Sequence, residues 1–252
     1  MRADLIGGAC AAAGLAMLWL VPMAGPAMAQ DDQGCILDHC ADRAPVPPSE
    51  AAGRPGPRGA SAPGDFDFYV LSLSWSPGFC ETDGAAKARG QCDSGANLGF
   101  VVHGLWPQYQ HGYPSDCGPA GRTPSRIALQ SVAGLYPDEG LARYEWRKHG
   151  TCSGKSPSDY FADVRRAREA IAIPAPFTSA REPQTWTPID IERAFVAANP
   201  RLRPGMLAVE CRHGTLEEVR ICFSKDLRDF VACPEVSRQF CRTGTISVPP
   251  MR

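Results

Sequence analysis

Eleven cysteines in 252 residues constrain this chain more than any other feature, because their chemical state depends on where the chain goes. The first, Cys10, lies in a segment that reads as removable. Residues 1–29, MRADLIGGACAAAGLAMLWLVPMAGPAMA, carry Arg2 in a short n-region and an apolar run from Leu5 to Val21. Helix-breaking Pro22 and the small-x-small end Ala27-Met28-Ala29 follow. This is the pattern of a secretory signal, with cleavage expected after Ala29. A membrane anchor is disfavoured: the run is only 17 residues, rich in Gly and Ala, and no basic stop signal follows it. Cleavage removes Cys10 and leaves ten cysteines, an even number, and an exported chain with ten cysteines reads as up to five disulfides. Zinc is the rival explanation, but no two cysteines have C-x2-C spacing and they are spread through the chain.

Residues 30–64 form a leader with six prolines (Pro45, Pro47, Pro48, Pro55, Pro57, Pro63) and no apolar period. It reads as a flexible linker or tail, its one ordered feature a local loop between Cys35 and Cys40. The globular part, 65–252, is long enough for a single large domain with a real core. With 44% hydrophobic and 21% charged residues the chain is not of the disordered class. A net charge of −1 offers no bulk attraction to nucleic acid.

Segment 66–75, FDFYVLSLSW, mixes alternation with aromatic and β-branched residues and reads as a strand. Segment 98–106, LGFVVHGLW, is a second strand, closed by Pro107, and 108–124 is a Gly/Pro-rich loop. Residues 141–149 can be helical, with Gly150 at the C-cap. Ser156-Pro157 and Thr187-Pro188 each open a helix with an N-cap hydroxyl and Pro in the first turn, running through Ile171 and Ala198 respectively. Segments 206–211 and 217–223 read as a hairpin with Gly214 near its turn. Strands and helices mix without β-α-β alternation, so the class is α+β.

Two segments carry chemistry: His103-Gly104-Leu105-Trp106-Pro107 and Glu145-Trp146-Arg147-Lys148-His149-Gly150-Thr151-Cys152. On a helix, Glu145, Lys148 and His149 fall at i, i+3 and i+4 and share a face. Three readings are open. The face can be an ordinary salt-bridged surface. It can be a metal site with Glu145 and His149 as ligands, although the zinc-protease arrangement wants His at both positions and Lys148 would repel a cation. Or it can perform acid–base chemistry on an anionic substrate, two histidines serving as base and acid and Lys148 supplying positive charge.

The two motifs together resemble the paired active-site segments of the ribonuclease T2 family, and the resemblance extends over roughly residues 66–245. It implies that His149 is the base taking the ribose 2′-OH proton and that His103 is the acid protonating the departing 5′-oxygen. Glu145 and Lys148 are implied to polarise the phosphate. The product would be a 2′,3′-cyclic phosphate that is then hydrolysed to a 3′-phosphate. It further implies a sheet-centred α+β fold, single-stranded RNA as substrate, low base specificity, and no metal or cofactor. Trp106 is implied to help form a base pocket, although a core role is equally open, and Tyr109 and Tyr113 are weaker candidates. Tyr144 stands where the family often has a phosphate-binding His; its hydroxyl can donate a hydrogen bond but carries no charge at pH 7. His111 reads as an exposed loop residue, and neither His39 nor His213 is assigned a role.

The resemblance also implies that Cys152 pairs with Cys117, tying the two catalytic segments together. The nested scheme of plant members gives Cys211–Cys241 and Cys222–Cys233, leaving Cys80–Cys92 and Cys35–Cys40 as local pairs. High Ala, Arg, Pro and Gly content with a short signal points to a bacterial source and to the periplasm or medium. No stable protein partner is implied, and a monomer is expected. Two rivals stand beside the enzyme: a secreted RNA-binding protein that does not cut, and a metal-dependent phosphodiesterase. The leader reading has a direct test: mass spectrometry of the exported protein is expected to find Gln30 at its N-terminus, and an intact Met1 in the exported form would reject it.

Overall fold

In the computed structural model, the structure describes residues 62–84, 89–93, 95, 97–118 and 123–251. The expected signal, most of the leader and the Cys35–Cys40 pair lie outside the described residues. The elements in chain order are β1 (Phe68–Trp75), α1 (Ser76–Phe79), α2 (Arg89–Cys92) and β2 (Phe100–Gln108), followed by α3 (Arg126–Gln130), α4 (Glu139–Lys148) and α5 (Pro157–Glu169). After them come β3 (Gln184–Trp186), α6 (Pro188–Ala198), β4 (Leu207–Arg212), β5 (Thr215–Ser224), α7 (Pro234–Ser237) and β6 (Ile246–Val248).

All strands join one sheet in the order β2-β1-β5-β6-β3, with β4 also paired to β5. The α+β expectation holds, and the sheet is antiparallel except where β6 meets β5 in parallel at Thr215 and Ser247. β1 is buried along its whole length because β2 and β5 flank it and both its faces are covered. Its Tyr69, Leu71, Leu73 and Trp75 enter the main core, where they meet Tyr160, Phe161 and Val164 of α5 and Ile191 and Phe195 of α6. Phe68 and Val70 point the other way, into a smaller cluster with Cys222, Cys233 and Val236.

The two N-cap signals act as read, whereas the C-cap of α4 is His149 rather than the expected Gly150, which instead opens the following 3-10 turn Gly150–Ser153. Ser156 Oγ accepts from Asp159 N at 3.2 Å and Thr187 Oγ1 from Asp190 N at 3.1 Å, each ahead of a first-turn proline. α4 begins two residues earlier than expected, because Asp138 rather than a later residue is its cap and accepts from Leu141 N at 2.9 Å. The β4–β5 hairpin turns on His213 (φ 50°) and Gly214 (φ 78°), the two positive values that a tight twisted hairpin demands. β2 does not stop at Trp106: Pro107 continues it, paired with Tyr69. The reason is position, since β2 ends the strand order and a proline missing its N–H is tolerated on an edge. The short strands β3 and β6 and the helix α3 carry no pattern long enough to read.

Four disulfides form as expected: Cys80–Cys92, Cys117–Cys152, Cys211–Cys241 and Cys222–Cys233. Cys117–Cys152 ties the loop after β2 to the turn after α4, across 35 residues of sequence. Among the described residues, no helix is long and apolar enough to cross a membrane.

Gly150 is required where α4 ends. A Cβ there would lie 2.4 Å from the Trp146 ring and 3.0 Å from the ring of Tyr160, and both rings are buried. Gly150→Ala is therefore expected to cost about 1–3 kcal/mol through overpacking. Urea denaturation of the oxidised protein measures it, and an unchanged midpoint would reject the packing argument.

Candidate active site

The site begins with an irregularity in β2. Ser72 pairs with Gly104 and Leu73 with Val102, so His103 is the extra residue of a β-bulge and faces no partner on β1. The bulge resets the alternation. Val102 and Leu105, three apart, both enter the main core, whereas Val101, His103 and Trp106 border cavities on the opposite face. Bulges re-aim side chains in this way beside functional sites. Without it, His103 and Leu105 would share a face.

Gly104 makes room for the next contact. A Cβ there would sit 2.1 Å from Trp106 Nε1 and 2.2 Å from Glu145 Oε2. The space is filled instead by a hydrogen bond in which Trp106 Nε1 donates to Glu145 Oε2 at 2.7 Å, joining sheet to helix. The Trp106 ring then lies between the two histidines, with centroids 5.2 Å from His103 and 5.4 Å from His149. Arg220 of β5 stacks on it at 5.1 Å. The indole thus packs on the smaller cluster and lines a cavity at once.

Two cavities flank this centre. One, of about 350 Å³, is bordered by Trp106, Tyr113, Lys148, His149, Arg220 and Gln239 among others. The second, of about 320 Å³, is bordered by His103, Tyr144, Gln91, Ser74 and the N-terminal turn of α4. All four expected catalytic residues thus gather around Trp106, with His103 and Tyr144 toward one cavity and Lys148 and His149 toward the other. Tyr144 is exposed, with Arg147 over its ring at 5.6 Å. Tyr109 does not join them. It packs against the main core, and Tyr113 is the tyrosine that borders the cavity, its ring 6.4 Å from His149. His111 is exposed and paired with Glu235 at 2.9 Å.

Electrostatics separates the two imidazoles. Burial pushes His149 down, and the positive charges of Lys148 and His103 push it further, to about 4. Its Nδ1 is buried and has no hydrogen-bond partner among the described residues. For His103, partial burial also opposes the charge, but hydrogen bonding to Glu218 and the charges of Glu218 and Glu145 outweigh it, and the value rises above its ordinary 6.5. The two imidazoles are therefore shifted in opposite directions, His149 toward the neutral form and His103 toward the cation, the separation that a base and an acid need. Glu145 is raised to about 7, chiefly by burial, with His103 and Trp106 opposing the rise.

The sequence motif does not reveal several partners. Lys148 is not a free cation: its Nζ donates to Asp116 Oδ2 at 2.6 Å, and Asp116 N donates to Lys148 O at 2.8 Å. Asp116 adjoins Cys117, so the disulfide to Cys152 delivers it to the end of α4. Glu218 and Arg220 come from β5, more than a hundred residues from His103. Only the alternation of the strand, placing 218 and 220 on one face, hints that they act together. Among the described residues, no three His, Cys, Asp or Glu side chains converge as a metal-binding group.

Comparison with known proteins agrees with the geometry. Residues 66–233 match the description of the Ribonuclease T2 family. The chain belongs to the ribonuclease T2 family. It is 39% identical over 177 residues to a ribonuclease of Aeromonas hydrophila, covering 68% of this chain and 78% of that one. It is 29% identical over 208 residues to ribonuclease DdI of Dictyostelium discoideum, covering 75% and 87%. In fold it is similar to an RNase-related protein from Calystegia sepium, with a TM-score of 0.56, 23% identity and coverage of 74% and 98%. As a T2 ribonuclease, this chain is an enzyme with a disulfide-stapled α+β fold.

Glu145 also makes the stability of this ribonuclease depend on pH. Its value lies near 7 when folded and about 4.5 when unfolded. The folded state thus binds the extra proton, and the benefit is lost as pH rises from about 4.5 through 7. Glu145→Gln keeps an oxygen for Trp106 and removes the titration. Chemical denaturation at pH 5 and pH 8 is expected to show the wild type losing more stability than the variant; equal losses would reject this account.

Proposed function

We propose that this T2 ribonuclease is an exported endonuclease that cleaves single-stranded RNA with low base specificity, acting as a monomer and without metal. The observation that carries the reading is the pair of histidines on either side of Trp106, one shifted toward its protonated form by carboxylates and the other toward its neutral form by burial and positive charge. His149 takes the proton from the ribose 2′-OH, and that oxygen attacks the adjacent phosphorus. The bond from phosphorus to the 5′-oxygen breaks as His103 gives that oxygen its proton. The products are a 2′,3′-cyclic phosphate and a 5′-hydroxyl end. In the second step water attacks the cyclic phosphate, His103 now takes a proton and His149 returns one to the 2′-oxygen, leaving a 3′-phosphate.

Glu145 and Lys148 act on the phosphate. Glu145 titrates near 7 and lies 3.8 Å from His103 Nε2, so its carboxyl can donate to a phosphate oxygen when protonated. Lys148 sits where it can exchange Asp116 for a phosphate oxygen. The exposed Tyr144 hydroxyl is a neutral donor on the His103 side. Trp106 and Tyr113 offer aromatic faces beside the larger cavity, and stacking on such faces is worth roughly 1–3 kcal/mol per base and tolerates any sequence. The nucleophile belongs to the substrate, so DNA, which lacks it, is not cut.

The ionisation of the two imidazoles sets the pH dependence. The rate needs His149 without its proton and His103 with it. The profile of kcat/KM is expected to rise on the acid side near about 4 and to fall on the alkaline side above 6.5. His103→Ala and His149→Ala are each expected to lose ~10²–10⁴-fold, and excess chelator is expected to change nothing. Activity lost to the chelator, activity retained in both variants, or RNA bound but uncut from pH 4 to 8 would reject the proposal.

A further inference from the structure

Behind His103 lies a carboxylate that the acid–base scheme does not use. Glu218 is buried on β5, opposite Ser74 of β1 and next to the bulge that projects His103. One of its oxygens, Oε1, meets His103 Nδ1, and the other accepts from Arg220 Nε at 2.9 Å. Across the β4–β5 ladder Glu218 faces Glu210, and Arg220 Nη1 lies 2.5 Å from Glu210 Oε1. One guanidinium therefore serves two carboxylates, and its third contact, to Gln239 at 2.6 Å, holds it in place. Like-charged groups directly opposite each other across a ladder are destabilising, and a buried carboxylate is costly unless it is paired. An expensive arrangement with one oxygen turned to a functional imidazole points beyond packing.

We propose that Glu218 is the positioning residue of His103: its carboxylate accepts a hydrogen bond from Nδ1–H, fixes the ring on the bulge and keeps Nε2–H turned to the reacting centre. The inference rests on the reading of His103 as the acid and deepens it. When His103 gives its Nε2 proton to the leaving oxygen, the Nδ1 proton stays on the ring, hydrogen-bonded to Glu218. The product is a neutral imidazole with its lone pair on Nε2, the form that accepts a proton from water in the second step. The same negative charge stabilises the imidazolium before transfer. Other groups act on this ring as well. Glu145 of α4 and Glu210 of β4 favour its charge, Arg220 opposes it, and His149 responds to it. Asp138 and Tyr144 border the same cavity. Among all of these, Glu218 is the group in hydrogen-bond contact with Nδ1.

Glu218→Gln tests this, because the amide can still accept from Nδ1 but carries no charge. The alkaline limb of kcat/KM is expected to move toward acid by about one pH unit or more, which is about a tenfold loss of rate per unit above both midpoints. A limb that stays at the wild-type pH, whatever the loss of stability, would overturn the proposal. NMR titration of His103 in the wild-type protein supplies a second readout that needs neither a variant nor activity. A midpoint above 6.5 with the Nδ1 proton retained is expected, and a midpoint below 6.5 would overturn the proposal even if the variant fails to fold. If His103→Ala kept full activity, the acid assignment would fall, while the titration would still report on Glu218.

Discussion

Glu145 reaches from the helix to the sheet, and its acceptance of a hydrogen bond from Trp106 Nε1 is the contact around which the site is assembled. The helix supplies Lys148 and His149 from the same face as Glu145, and the strand supplies His103 and Trp106. Neither element could set the distance between them alone. A buried carboxylate that accepts an indole N–H is satisfied only at one separation and one rotation of the two elements. Gly104 leaves the space for that contact, and Gly150 leaves the space for Trp146 and Tyr160 to pack beneath the helix end. Tyr160 in turn donates to Leu105 O at 2.9 Å, so the core grips β2 from below while Glu145 holds it from above.

The two imidazoles are then shifted in opposite directions by their surroundings. His149 is partly buried at the end of α4 beside a lysine, its Nδ1 has no hydrogen-bond partner among the described residues, and the charge of Asp116 only partly offsets the downward shift. His103 sits over carboxylates. No difference in residue type separates them; the number and sign of neighbouring charges does. Asp116 adds a further contact, for it pairs with the Lys148 ammonium at 2.6 Å. That pairing depends on the Cys117–Cys152 bridge, which brings the loop after β2 to the helix end.

Much of the fold and of the site is legible in the chain itself. The main helix and strand signals around the motifs stand out because each carries its own local chemistry. Ser156-Pro157 and Thr187-Pro188 announce helix starts, and β1 alternates residues for two buried faces. Glu145, Lys148 and His149 fall on one face by helical spacing alone. The end of β2 is not legible in this way: Pro107 reads as a stop, whereas its tolerance depends on the strand lying at an edge. Nor does the chain separate Tyr109 from Tyr113, since the course of a Gly/Pro-rich loop is set by what it packs against.

The sequence by itself determined the candidate site residues, their helical phase, the N-caps and the pool of cysteines, because each of these depends on residue type at short range. Only the tertiary structure decided that His103 lies on a bulge and that Trp106 stands between the histidines. It alone decided that Glu218 and Arg220 come to His103 from a strand over a hundred residues away. The physical reason is that a strand's register is a long-range property. A single extra residue in β2 changes which face every later side chain meets, and no local pattern in HGLW records it. The protonation states follow the same logic, since charges from separate elements meet at one ring.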